Sequence, residues 1–98
     1  MRTRKEYIEL LLSHADELRS QFGVTALRIF GSVARDQHKE GSDVDICVDM
    51  PPRLFKLVGL GSYLETLLGC HVDVVRNHNN MNPFLRSEID NDGIYVFN

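Results

Sequence analysis

The sequence predicts a single α/β domain over residues 1–98, built on a small three-stranded sheet. Three observations carry that expectation. Residues 4–22 and 54–68 repeat apolar side chains at helical spacing. Residues 24–30, 43–49 and 70–76 are short, rich in Val and Ile, and of strand length. The two kinds of segment alternate, and a short helix after the first strand and another after the third complete the order αβαβαβα. Ninety-eight residues leave room for one core and no second lobe.

Taken in order, Ile8, Leu11, Leu12, Ala15, Leu18 and Phe22 form the apolar face of one amphipathic helix, which Gly23 ends. Val24 to Phe30 reads as a buried strand running into Gly31-Ser32, and Val33 to about Gln37 as a short helix. Lys39-Glu40-Gly41-Ser42 is a loop. From Asp43 to Asp49 the chain alternates, with Val44, Ile46 and Val48 on one face and Asp43, Asp45, Cys47 and Asp49 on the other. Pro51-Pro52 stops that strand. Leu57, Leu60, Leu64, Leu67 and Leu68 mark a helix closed by Gly69, and the glycines at 59 and 61 leave open whether it is one helix or two. Cys70 to Arg76 is the third strand, with His71, Asp73 and Val75 on one face. Asn82-Pro83 caps a last helix that runs to about Asn91, and Ile94 to Phe97 is an apolar tail.

Composition narrows the function. A net charge of −3 argues against a general nucleic-acid surface. No apolar run is long enough to span a membrane, and the first residues lack the apolar segment of a signal peptide, so a cytoplasmic protein is expected. Cys47 and Cys70 have neither zinc nor disulfide-framework spacing and are expected as buried thiols. His14, His38, His71 and His78 are scattered, and no zinc site is expected.

The chemistry lies in Gly31-Ser32 followed ten residues later by Asp43-Val44-Asp45. A small-residue turn lets backbone N–H groups approach an anion, and carboxylates two apart on a strand can hold divalent metal beside it. Two like charges on one face repel by about 4 kcal/mol at 4 Å and an effective dielectric of 20, so the pairing favours a bound cation. Asp73 interrupts an otherwise apolar strand, where a buried carboxylate needs a partner. As a neighbour of the 43–49 strand, it becomes a third carboxylate. Three carboxylates with two Mg²⁺ ions suit nucleotidyl transfer, with Asp73 accepting the proton of the attacking hydroxyl.

Phe30-Gly31-Ser32-Val33-Ala34-Arg35, then Gly41-Ser42-Asp43-Val44-Asp45-Ile46-Cys47-Val48, then Val72-Asp73-Val74-Val75 resemble the minimal nucleotidyltransferases of the DNA polymerase β-like superfamily. The likeness extends over nearly the whole chain and implies the small nucleotidyltransferase fold with a mixed sheet. It also implies phosphate contacts from Gly31 and Ser32, metal ligation by Asp43, Asp45 and Asp73, and an arginine, Arg35, near the triphosphate. Asp36 departs from the pattern, standing where many members have glycine. Family members of this size are similar to antitoxins that pair with a helical HEPN ribonuclease. The resemblance therefore implies transfer of AMP from ATP to a tyrosine of such a partner, within a hetero-oligomer. Two alternatives stand beside it. One is the same chemistry on a small aminoglycoside-like alcohol. The other is an antitoxin that masks its partner by binding alone.

Overall fold

The first helix begins where the sequence supplies a reciprocal cap. In the computed structural model, which describes residues 2–98, the Thr3 hydroxyl accepts from the Glu6 N–H while the Glu6 carboxylate accepts from the Thr3 N–H. Helix α1 (Arg4–Ser13) then gives way to α2 (Ala15–Phe22) at His14, where a single helix is expected from the apolar spacing. The physical reason is local. The Ser13 hydroxyl and His14 Nδ1 both bond the Leu10 carbonyl, at 2.7 and 3.0 Å, and the His14 N–H turns to Leu11 instead.

The remaining elements are β1 (Ala26–Phe30), α3 (Gly31–Ala34), β2 (Val44–Asp49), α4 (Leu54–Leu68), β3 (Val72–Arg76), α5 (Pro83–Asp92) and β4 (Ile94–Phe97). The sheet is mixed and has four strands rather than three, in the order β3-β2-β1-β4. The apolar tail is the fourth. It pairs antiparallel with β1, Ile94 opposite Ile29 and Phe97 opposite Leu27, with a register shift between Leu27 and Arg28. Strand β2 runs antiparallel to β1 and parallel to β3, the parallel step being bridged by α4. That helix is continuous. Burial of Leu60, Leu64 and Leu68 outweighs the cost of its glycines, about 1 kcal/mol each.

The two sheet faces have different cover. Leu27, Ile29, Val44, Ile46 and Val48 pack with Leu11, Leu18, Leu60, Leu64 and Leu68 of the helices into the main core. On the opposite face α5 lays Ile89 over Phe30 and Cys47, with Val75, Met81 and Leu85 at the margin. Arg28, buried on this second face, reaches Asp90 at 3.6 Å and lies over the Tyr95 ring. Cys47 is buried as expected, whereas Cys70 is only half-buried, its sulfur 4.0 Å from the Tyr7 hydroxyl. Among the described residues no helix is long and apolar enough to cross a membrane.

Candidate active site

The site forms where β1 ends and β2 and β3 begin. Gly31 turns the chain out of β1 at φ +72°, a conformation that costs a side-chain-bearing residue about 1–2 kcal/mol. Space imposes the same choice. A Cβ at Gly31 would clash with Asp45 Oδ2 and sit 3.1 Å from its Cγ. Glycine at 31 and aspartate at 45 are therefore one packing decision. Ser32 lies half-buried in the single turn of α3, which the buried Val33 and Ala34 anchor. The expected helix over residues 33–37 is this shorter turn, set two residues earlier. Asp36 follows at φ +59°, so it occupies the left-handed conformation for which glycine is best suited and which aspartate tolerates. The departure at 36 thus keeps a glycine-like backbone path.

Strand pairing then assembles the acids. Asp45 stands opposite Phe30 on one side and Asp73 on the other, and all three point to the face that α5 only partly covers. One ligand atom each from Asp43, Asp73 and His71 lie within 4.8 Å of one another. Asp73 differs from expectation in one respect. It is exposed rather than buried, because β3 is an edge strand. The strained carboxylate is Asp45, whose pKa is pushed up to about 6 by burial, then by the charges of Asp73, Glu88 and Asp43. Clustered carboxylates, Asp43 and Asp73 exposed and Asp45 half-buried, are the chemistry of a divalent-cation site, and these residues fit one.

Three residues escaped sequence reasoning as parts of this site. His71 Nε2 lies 3.2 Å from Asp73 Oδ1, and its Nδ1 lies 2.7 Å from Glu65 Oε2. Its pKa is raised chiefly by Asp43, and also by Asp73 and Glu65, against an opposing effect of desolvation. Strand alternation already put His71 on the face of Asp73, which was the available signal. Glu65 and Glu88 arrive from separate helices, and nothing local marks them. Arg35, expected at a phosphate, is held by α5. Its Nη1 donates to Asp92 Oδ2 at 2.8 Å and lies 3.9 Å from Glu88 Oε1. A cavity of about 510 Å³ opens beside His71, with Lys39, Ser42 and Cys70 in its wall.

The mixed, helix-flanked sheet, with a glycine-serine turn closing one strand and carboxylates at the start of the next two, matches the minimal nucleotidyltransferase fold. The chain belongs to the nucleotidyltransferase domain family, whose model matches residues 11–96. A Thermococcus cleftensis protein, the protein adenylyltransferase MntA, is 48% identical over 77 residues, covering 76% of this chain and 78% of its own. MJ1217 of Methanocaldococcus jannaschii, named provisionally for the same activity, is 40% identical over 98 residues, covering 98% and 100%. A solved structure described provisionally as a minimal nucleotidyltransferase superposes with TM-score 0.76 at 29% identity, covering 95% of each chain. The fold also recurs, at TM-score 0.65 and 18% identity, in a structure described as a tri-AMPylated Shewanella oneidensis HEPN toxin in complex with MNT antitoxin. That match covers 92% of this chain and 71% of the other.

Proposed function

We propose that this chain transfers AMP from ATP to a tyrosine hydroxyl of a HEPN-type ribonuclease and so acts as its antitoxin, in a cytoplasmic hetero-oligomer. The observation that carries the proposal is that Asp45 packs against Gly31 and stands opposite Asp73, while Asp43 and Asp73 bring carboxylate oxygens within 4.8 Å of each other. The relatives named for protein adenylylation, and the HEPN toxin carrying AMP beside its antitoxin, support the acceptor class.

Asp43, Asp45 and Asp73 would hold the Mg²⁺ ions, two by the proposed scheme, which supply charge neutralisation at the triphosphate and acidify the acceptor hydroxyl. Gly31 and Ser32 bind and orient the phosphates, the glycine allowing close backbone approach. Asp73, exposed at the sheet edge, is open to an incoming protein side chain and accepts the tyrosine proton. The tyrosine oxygen bonds to the α-phosphorus as the bond to the bridging oxygen breaks, and pyrophosphate leaves with that electron pair. Arg35 reaches the triphosphate after exchanging its α5 carboxylates for phosphate oxygens.

Incubation with ATP, Mg²⁺ and a HEPN-type partner, followed by intact-mass measurement, tests the proposal. Adenylyl increments on the partner, abolished by Tyr→Phe at the modified site, support it. A partner that is inhibited yet unmodified points to masking, and transfer only to a small alcohol points to a small-molecule enzyme.

A further inference from the structure

We propose that His71 is itself a ligand of the active-site metal and biases the site toward Mn²⁺-like ions over Mg²⁺. The inference rests on the reading of Asp43 and Asp73 as metal ligands and adds to it a nitrogen donor of this chain.

The geometry has three parts. First, a ring nitrogen of His71 and one carboxylate oxygen each of Asp43 and Asp73 lie within 4.8 Å of one another, close enough to share one ion. Second, the ring is aimed. Nδ1 faces Glu65 Oε2 at 2.7 Å, which leaves Nε2 on the side of Asp73. A histidine that binds metal through one nitrogen commonly donates the other N–H to a carboxylate, which fixes its tautomer and orientation. Third, the orienting carboxylate is fixed to the backbone. The same Glu65 Oε2 accepts from the Val72 N–H at 3.1 Å, so α4 and the first residue of β3 hold it together. That bond also ties Glu65 to the residue following His71.

Imidazole matters for selectivity. Mg²⁺ is a hard ion that prefers oxygen and gives up water reluctantly, whereas manganese is also held in carboxylate sites that include histidine. An aspartate-only set would treat the two ions more evenly. With His71 in the set, loss of the imidazole weakens Mn²⁺ and leaves Mg²⁺ nearly unchanged.

The test is made on metal-loaded protein without nucleotide or partner. Electron spin-echo modulation of the Mn²⁺ form reads directly whether a ¹⁴N nucleus is coordinated. The wild type is expected to show histidine ¹⁴N coupling that vanishes in His71→Ala, with about a tenfold rise in the Mn²⁺ Kd and less than a threefold change for Mg²⁺. Glu65→Gln keeps the imidazole but loosens its support, and is expected to weaken Mn²⁺ by about tenfold while the ¹⁴N signal persists. Because the His71 ring is largely exposed, its removal leaves the core intact, which thermal unfolding verifies. Mn²⁺ bound without ¹⁴N coupling, or coupling that survives His71→Ala, overturns the assignment of His71 while leaving the carboxylate site standing. Absence of Mn²⁺ binding in the wild type, with Asp43→Ala no different, overturns both.

Discussion

Substitution of Gly31 by alanine probes the contact on which the site depends. Two costs arise at this residue. The backbone at φ +72° disfavours any Cβ by about 1–2 kcal/mol. The new methyl also meets the Asp45 carboxylate, 3.1 Å from Cγ and 3.3 Å from Cβ, and moving a packed group aside costs about 1–3 kcal/mol. A stiffer unfolded chain returns about 0.4–1 kcal/mol. The net loss is about 2.5 kcal/mol, which in urea at about 1.25 kcal/mol/M lowers the unfolding midpoint by about 2 M. Gly41 provides the control. It has φ +85° with nothing within 4 Å of a built Cβ, so Gly41→Ala carries the backbone cost alone, about 0–1.5 kcal/mol. A double-mutant cycle of Gly31→Ala with Asp45→Ala should return the contact as about 1–3 kcal/mol of coupling. Transfer activity of Gly31→Ala should fall about 100-fold, because a catalytic group displaced by about 1 Å loses that much. Equal destabilisation at 31 and 41, or a cycle with no coupling, would refute the reasoning.

The electrostatics and packing have further consequences. Asp45 titrates near 6 in the fold against 3.8 unfolded, so the folded state holds more protons between about pH 4 and 6. Metal-free protein should therefore lose stability as pH rises through that window. Solvent screening of a half-buried group reduces the loss from about 3 to about 1 kcal/mol, and Asp45→Asn should remove the slope in urea titrations. Glu88→Gln deletes one of the charges that raise Asp45, and carboxyl NMR should show its midpoint below 6. Asn82 Oδ1 accepts from the N–H groups of Phe84 and Leu85, so Asn82→Ala should cost about 1 kcal/mol, seen as faster amide exchange in α5. Leu64→Ala empties a fully buried core position and should cost about 2–5 kcal/mol by denaturant unfolding.

Local patterns made much of this protein legible. Strand alternation placed Asp43 and Asp45 on one face and His71 with Asp73 on one face, because side-chain direction has a period of two wherever a strand forms. The parts that escaped depend on residues distant in sequence. Ile94 to Phe97 gives no hairpin signal and becomes a strand only by meeting β1, more than 60 residues earlier. Arg35 binds Asp92 across 57 residues, and Glu65 reaches the site from the end of α4. The break at His14 lies inside an unbroken apolar stripe, since capture of the Leu10 carbonyl by side chains leaves that spacing unchanged. Asp73 misled for a related reason. Its apolar neighbours implied burial, but strand order put β3 at the edge.

The central proposal is that Asp43, Asp45 and Asp73 carry out adenylyl transfer to a protein partner. Its most direct test is the intact mass of a HEPN-type partner after incubation with ATP, Mg²⁺ and either the wild type or Asp45→Ala. The wild type should add whole adenylyl units while Asp45→Ala, still folded and still bound to the partner, adds none. Equal modification by both proteins, or a partner silenced by both with no change in mass, would contradict it.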